Sequence, residues 1–276
     1  GSPRSEERHP ISLRCDLVVA TEARGTVTVR MPLNSRPSLP RSAAKRLHDR
    51  FNSPYQAIAR FLAQRALLKP LIWSLTRVTV IRSEKLKDVK GGFVVVANHS
   101  SHLDTPLIVG SLPRPLARYL AAGAAADYFF NVWWRRGLTA LFFNAFPVRR
   151  TGTQTSSTSA RSLLMRGIPV LIFPEGTRSK DGELGRFKPG AAALAAACDV
   201  PCIPVALIGA HIAHPRGTNW PKRGRFPVGV VFGDPLRVAE GESKGEFAER
   251  ARQEILRLRE LHSADILGRH ELPRRK

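Results

Sequence analysis

A histidine and an aspartate with four residues between them follow an apolar stretch of the chain, in the segment Asn98-His99-Ser100-Ser101-His102-Leu103-Asp104. The apolar stretch, residues 93–97, is short and rich in β-branched residues, which is typical of a buried strand. In α/β sheets, chemistry usually occurs where a strand gives way to a loop and a helix. If a helix begins here, Asp104 can accept the imidazole N–H of His99 and leave the other ring nitrogen free to take a proton from an alcohol.

The same segment also fits a strand followed by an ordinary turn. Its other polar residues favour turns and helix caps, as Asp104 itself does, so neither interpretation is excluded by this segment alone. His102 is open to two interpretations as well. It competes with His99 for Asp104, or it faces solvent, and we favour solvent.

Four further segments follow in a fixed order, namely Phe146-Pro147-Val148-Arg149-Arg150, Phe173-Pro174-Glu175-Gly176-Thr177-Arg178-Ser179, Phe187-Lys188-Pro189-Gly190 and Val200-Pro201-Cys202-Ile203-Pro204-Val205. With the His99 segment, this order and spacing resemble the glycerolipid acyltransferase family typified by bacterial 1-acylglycerol-3-phosphate acyltransferase. The resemblance covers roughly residues 70–240. The segments at His99 and Glu175 are the specific ones, whereas those at Arg150 and Pro201 would not stand alone.

The resemblance implies an enzyme that moves a fatty acyl group to the sn-2 hydroxyl of 1-acylglycerol 3-phosphate and so makes phosphatidic acid. The donor is acyl-CoA or acyl carrier protein, and neither a metal nor another cofactor is expected. His99 and Asp104 would act as a catalytic dyad on the acceptor hydroxyl, which attacks the thioester directly without a covalent acyl-enzyme. Other acceptors, such as glycerol 3-phosphate or another lysolipid, remain open alternatives.

The remaining candidates would bind substrate: Arg149, Arg150, Glu175, Gly176, Thr177, Arg178 and Lys188. A guanidinium matches phosphate geometry, so both arginines of the pair are candidates for a glycerol phosphate group. Arg150 takes the position of the family's single expected arginine, whereas Arg149 stands where an acidic residue is frequent. A surface pair that merely ends a strand is the alternative, and it competes more strongly for Arg149. Gly176 permits a tight turn, and Glu175 accepts hydrogen bonds from acceptor hydroxyls or from backbone amides.

The charge of the chain indicates an anionic partner. It carries 44 basic and 22 acidic residues, a formal charge of +22. No nucleic-acid-binding signature occurs, so we expect an anionic membrane surface and lipid substrates rather than nucleic acid. A competing hypothesis is a non-catalytic basic module that binds lipid or nucleic acid. A thioester hydrolase is disfavoured because the sequence lacks a Gly-x-Ser-x-Gly nucleophile motif.

Alternating apolar strands and helices predict an α/β fold with a mostly parallel central sheet flanked by helices. We expect residues 1–42 to be a hairpin or a poorly ordered basic segment, 78–240 the acyltransferase domain, and 241–276 a C-terminal helix with a basic tail. Within 78–240, we expect a short strand at 116–120 and a loop at 151–158. The aromatic stretch 128–136 is either an interfacial belt or core.

Residues 43–77 predict an amphipathic helix pair. No acidic residue occurs between Pro54 and Arg77, and we expect Ser53 to cap a helix and Pro70 to break or kink it. Such a pair suits docking on an anionic membrane, and the resemblance implies the same. The alternative is an ordinary helix with solvated arginines. No apolar run is long enough to span a bilayer, so we expect a peripheral or monotopic protein on the cytoplasmic face of the cell membrane.

Three cysteines, Cys15, Cys198 and Cys202, indicate thiols in or near the core rather than disulfides.

Overall fold

The structure is a computed structural model and describes residue 51 and residues 53–125, 133–148 and 154–268. Several expectations lie outside these residues and are therefore not tested: the hairpin or poorly ordered segment at 1–42, residues 43–50 of the expected helix pair, residues 128–132 of the aromatic stretch, the arginine pair Arg149 and Arg150, and the basic tail.

The described chain alternates strands and helices. The strands are β1 (Arg77–Arg82), β2 (Val94–Ala97), β3 (Ala121–Ala125), β4 (Phe146–Val148), β5 (Val170–Ile172), β6 (Cys202–Ile208) and β7 (Pro227–Phe232). The α-helices are α1 (Pro54–Ala63), α2 (Lys69–Leu75), α3 (Asp104–Ser111), α4 (Arg114–Ala117), α5 (Trp133–Phe143), α6 (Gln154–Met165), α7 (Gly190–Cys198), α8 (Ala210–Ala213) and α9 (Lys244–Leu267). A π-helical turn (Gln64–Leu68) joins α1 to α2, and a 3₁₀ turn (Glu84–Asp88) follows β1.

The seven strands form one mostly parallel sheet in the order β1-β7-β6-β2-β5-β3-β4. Strands β6, β2, β5, β3 and β4 run parallel to one another, and β7 pairs antiparallel with β6 and parallel with β1. The carboxyl ends of β2, β5 and β6 therefore share one edge of the sheet with the starts of β7 and β1. We call this edge the site edge, because the His99 segment follows β2.

Helices cover both faces of the sheet, as the sequence predicts. Alternate residues of β2 point to opposite faces: Val94 and Val96 pack with α6, α7 and α9, whereas Val95 and Ala97 pack with α2 and α3. Every residue of β2 is buried, which is why the strand reads as a continuous apolar run rather than an alternating one.

Two sequence expectations in the domain are wrong. Residues 116–120 do not form a strand. Instead, α4 begins at Arg114 with Pro115 in its first turn, and the strand follows at Ala121–Ala125. Alanine favours helices over strands in isolation, but here the sheet places Ala121 and Ala122 between buried layers, where small residues fit. Residues 154–158 belong to α6 rather than to a loop, because the helix uses the apolar residues that follow them to pack on the sheet.

The amino-terminal helices begin as expected, and the helical segment is divided in two just before Pro70. Ser53 caps α1 by accepting a hydrogen bond from the backbone amide of Gln56, with Pro54 next. The backbone stays helical from the π turn into α2, so Pro70 removes one hydrogen bond from a continuous helical segment. The wider π turn ends at Leu68, two residues before Pro70, and it is the irregularity that separates α1 from α2.

Two of the three basic residues of these helices, Arg60 and Lys69, face the domain, whereas Arg65 is exposed, which corrects part of the expected pattern. Arg60 is buried and donates hydrogen bonds to the Asn144 side chain (2.9 Å) and the Arg118 carbonyl (3.4 Å). Lys69 donates to the Gly110 carbonyl at 3.1 Å. The exposed side of these helices and of the π turn between them is largely apolar, and it carries Tyr55, Ile58, Leu62, Leu67 and Leu71.

Candidate active site

The structure places His99 and Asp104 in direct contact at the site edge. His99 follows β2, and Asp104 is the first residue of α3. The Nδ1 atom of His99 lies 2.8 Å from Oδ2 of Asp104. Because a carboxylate accepts hydrogen bonds, this contact favours the tautomer with the proton on Nδ1 and a lone pair on Nε2. The His99 side chain is 21% exposed, whereas that of Asp104 is fully buried.

Backbone amides hold the Asp104 carboxylate in position. Its Oδ2 atom also accepts hydrogen bonds from the amides of Ser100 (2.7 Å) and Ser101 (2.8 Å). The turn between strand and helix therefore wraps around the carboxylate, and the turn-forming residues in this segment serve the dyad. The turn expected from the sequence and the contact of His99 with Asp104 are therefore parts of one structure.

Glu175 is the third polar residue at this point, and it binds backbone on both sides. Its Oε1 accepts from the amide of His99 at 2.7 Å, and its Oε2 accepts from the amide of Gly185 at 3.0 Å. Burial raises the pKa of Glu175, and the two amide hydrogen bonds partly offset that effect. Of the two partners expected for Glu175, the structure shows the backbone amides.

Phe173 orients the ring of His99. The two rings stack with centroids 4.0 Å apart and planes inclined by 17°. Phe173 directly follows β5, the neighbour of β2 in the sheet. The imidazole is thus fixed at Nδ1 by Asp104 and on one face by an aromatic ring, which leaves Nε2 as the nitrogen that can meet an acceptor.

The other expected substrate residues surround a turn after Phe173. Gly176 has a positive φ of 75°, and a Cβ there would lie 2.9 Å from the Nζ of Lys188, so the lysine side chain crosses directly over it. Thr177 is exposed and Arg178 is half-buried. The structure therefore brings the Lys188 side chain to the turn that carries Glu175. The ammonium group lies over Gly176, and the absence of a side chain at this glycine leaves room for it. Arg149 and Arg150 lie outside the described residues, and β4, which precedes them, ends at the site edge.

Sequence reasoning did not foresee two buried residues that join this segment to β6 and its loop. The Asn98 side chain donates to the Leu207 carbonyl (2.9 Å) and accepts from the Leu207 amide (2.7 Å). Ser101 donates through Oγ to the carbonyl of His214 at 3.0 Å. Their partners lie more than 100 residues away in the chain, so no local pattern could have indicated them.

His102 faces solvent, as favoured from the sequence, and Asp104 bonds His99 instead. Partial burial of the ring and the positive charge of Arg178 lower the pKa of His102 to about 4. Among the described residues, no group of three or more histidine, cysteine, aspartate or glutamate side chains is placed to hold a metal ion. Cys202 is buried in β6, and burial raises the pKa of its thiol to about 12.

Comparison with known proteins identifies the family. A family model described as Acyltransferase matches residues 77–208. A 1-acyl-sn-glycerol-3-phosphate acyltransferase of Pseudomonas aeruginosa is 32% identical over 204 residues, which are 71% of this chain and 74% of that protein. One of Chlamydomonas reinhardtii is 34% identical over 180 residues, 65% of this chain and 52% of that relative. The chain belongs to the 1-acyl-sn-glycerol-3-phosphate acyltransferase family, and the expectation of an acyltransferase is confirmed.

A solved structure shares the fold. The crystal structure of the 1-acyl-sn-glycerophosphate acyltransferase PlsC from Thermotoga maritima superposes with a TM-score of 0.55 and 24% identity, over 80% of this chain and 93% of that one. The likeness supports the α/β architecture with a mostly parallel sheet. The described part of this chain contains no helix that is both long and apolar enough to cross a bilayer.

Proposed function

We propose that this chain transfers a fatty acyl group from acyl-CoA or acyl carrier protein to the sn-2 hydroxyl of 1-acylglycerol 3-phosphate, which gives phosphatidic acid. The observation that carries the proposal is the 2.8 Å contact between His99 Nδ1 and a buried carboxylate of Asp104 at the site edge. Family membership supports the reaction class, and the names of the relatives support the acceptor.

The proposed chemistry begins at Nε2 of His99. Nε2 takes the proton of the acceptor hydroxyl while the hydroxyl oxygen attacks the thioester carbonyl carbon. Asp104 stabilises the imidazolium that forms, because its negative charge lies against Nδ1–H. The tetrahedral intermediate then expels the thiolate, which takes the proton back from Nε2. An ester and a free thiol result, and neither a metal nor a covalent acyl-enzyme takes part.

Basic side chains are proposed to hold the acceptor phosphate. Lys188 crosses Gly176 beside the Glu175 turn, and Arg178 and Thr177 continue that turn. Arg150 remains the proposed main phosphate ligand, with Arg149 beside it, since guanidinium and phosphate match in charge and geometry. Glu175 supports the dyad through the backbone rather than through the acceptor.

The protein is proposed to work at a membrane surface, on the cytoplasmic face. The apolar face of α1 and α2 supports this: Leu62 and Leu67 are 58% and 62% exposed, and contiguous exposed apolar residues usually mark a contact surface. A lysophospholipid acceptor lies in the bilayer, so the docked enzyme would meet its substrate there.

Thiol release tests the proposed function. Release from oleoyl-CoA is measured with and without lysophosphatidic acid, for the unmodified protein, for His99→Ala, and for His262→Ala, a control on α9. We expect acceptor-dependent release that falls by about 10²–10⁴-fold only in His99→Ala. Thiol release at the same rate with and without lysophosphatidic acid would instead identify a thioester hydrolase. Dependence on glycerol 3-phosphate or another lysolipid would keep the dyad and change the acceptor.

A further inference from the structure

The loop between β6 and β7 holds a feature that the proposed catalysis does not use. We call residues 214–226 the basic loop. It carries Arg216, Lys222, Arg223 and Arg225, and no acidic residue occurs in the sequence from 200 to 233. Trp220 lies among these cations and is 76% exposed. An exposed tryptophan within a cationic segment is typical of a protein surface that meets the interface between lipid and water.

The basic loop lies at the site edge and is tied to the catalytic segment. It connects the carboxyl end of β6 to the start of β7, and β6 runs parallel to β2. Its first residue, His214, accepts the Ser101 hydroxyl through its carbonyl at 3.0 Å. Arg216 donates to the carbonyl of Arg178 at 2.9 Å. The loop therefore keeps a fixed position beside the dyad.

The basic loop is also tied to the amino-terminal helices. Arg225 donates to the carbonyl of Trp73 in α2 at 3.1 Å, and the Phe226 carbonyl accepts from the amide of Arg77 at the start of β1 at 3.0 Å. The apolar face of α1 and α2 and the basic loop thus adjoin at one edge of the sheet. The two surfaces differ in chemistry: the helix face is apolar, whereas the basic loop is cationic and carries the exposed Trp220.

We propose that the basic loop is a second membrane contact, in which Trp220 enters the headgroup region and Lys222 and Arg223 bind anionic lipid headgroups. Tryptophan concentrates at the interface between lipid and water, and each lysine or arginine near an anionic leaflet strengthens binding. This inference rests on the proposed function, because it supposes an acceptor that lies in the membrane. Two adjoining contacts at the catalytic edge would fix its orientation towards the lipid.

Vesicle binding tests the contact. Vesicles of phosphatidylcholine and phosphatidylglycerol in equal parts are titrated with the unmodified protein, Lys222→Gln/Arg223→Gln, and the control Lys87→Gln/Lys90→Gln. The control removes two exposed charges from the opposite edge of the sheet. We expect about fivefold weaker binding per charge removed, hence about 25-fold weaker binding for the loop variant. This difference from the unmodified protein should be smaller in high salt, which screens the charges. Equal losses in both variants would overturn the inference, since net charge alone would then explain binding.

Fluorescence quenching tests Trp220 itself. Lipids brominated on the acyl chain quench tryptophans that enter the bilayer, so we expect Trp220→Phe to lower the quenched fraction. An unchanged fraction would overturn the inference. A second result would also overturn it: if Lys222→Gln/Arg223→Gln had an unchanged vesicle affinity but a higher Michaelis constant for oleoyl-CoA in detergent micelles, the loop would bind the phosphates of the donor instead.

The two proposals fail separately. If the unmodified protein shows no thiol release on vesicles or in micelles with any donor, the proposed function fails, and vesicle affinity and quenching still decide the role of the loop. If thiol release is normal on vesicles and the loop variants bind like the control, the loop inference fails alone.

Discussion

Glu175 holds the backbone of His99 in place from 76 residues further along the chain: its Oε1 accepts the His99 amide at 2.7 Å. The same carboxylate accepts the Gly185 amide through Oε2. A Cβ at position 185 would lie 2.9 Å from that oxygen, so the loop approaches closely because residue 185 is glycine. Glu175 thus links β2, the turn after β5 and the loop before α7, and His99 sits where these three meet.

Replacement of Glu175 should lower kcat rather than raise KM. Glu175→Ala frees the His99 backbone, and a displacement of about 1 Å at a catalytic group can cost about 10²-fold in rate. We expect the KM for lysophosphatidic acid to change little, because both carboxylate oxygens already bind backbone. Glu175→Gln keeps one hydrogen-bond acceptor, so its kcat should fall between those of the unmodified protein and Glu175→Ala. Steady-state kinetics measures the split, with the exposed Glu183→Ala as control. A rise in KM at normal kcat would show that Glu175 binds the acceptor instead.

Asp104→Asn should abolish most activity while the protein stays folded. The neutral side-chain amide of asparagine cannot stabilise the imidazolium as a carboxylate does. If its NH₂ group replaced Oδ2, it would also face the backbone N–H groups of Ser100 and Ser101, which need an acceptor there. We expect kcat to fall by about 10³-fold or more. Circular dichroism verifies the fold, and the exposed Asp88→Asn is the matched control. Near-normal turnover in Asp104→Asn would remove Asp104 from the mechanism.

The parts of the fold that the sequence predicted are those fixed locally. β2 is a run of four buried residues, and the Ser53–Pro54 start of α1 depends on neighbouring residues alone. Other features are fixed by distant partners. Ala121–Ala125 becomes a strand because of the sheet around it, and Asn98 bonds Leu207, 109 residues away. The dyad was visible because its two members belong to one turn, whereas the contact of Glu175 with the backbone requires the sheet.

Arg60 should matter for stability, unlike its neighbour Arg65. Arg60 is 3% exposed and bonds the side chain of Asn144, which is itself fully buried. Its loss leaves that amide oxygen without this donor, and we expect Arg60→Ala to lower the free energy of unfolding by about 2–3 kcal/mol. Arg65 is exposed, so Arg65→Ala should stay within about 0.5 kcal/mol. Urea denaturation measures both. Equal effects would show that the charge of Arg60 acts at the surface, as the sequence alone suggested.

The apolar face of α1 and α2 should bind lipid without contributing to folding. Leu62→Gln/Leu67→Gln replaces two exposed side chains, so the free energy of unfolding should change by less than about 1 kcal/mol. If both leucines enter a bilayer, each replacement loses about 1.5–3 kcal/mol of transfer free energy, so the two together should weaken vesicle binding by about 100-fold or more. Co-sedimentation with anionic vesicles measures this. Leu261→Gln on α9, where the leucine is 58% exposed, is the control. A loss of folding stability with unchanged vesicle binding would show that the face packs on protein.

His102 should make the protein less stable in acid. Its pKa is about 4 in the folded chain, against an ordinary value of 6.5. Between these values the unfolded chain binds a proton that the folded chain does not, so the stability due to His102 is complete above pH 6.5 and is lost as the pH falls towards 4. Because the side chain is exposed, solvent screening reduces the effect, and we expect about 1 kcal/mol. His102→Gln should therefore match the unmodified protein at neutral pH and exceed it in stability near pH 4. Chemical denaturation at both pH values measures the difference. A constant difference across the range would mean that His102 titrates alike in the folded and unfolded chains.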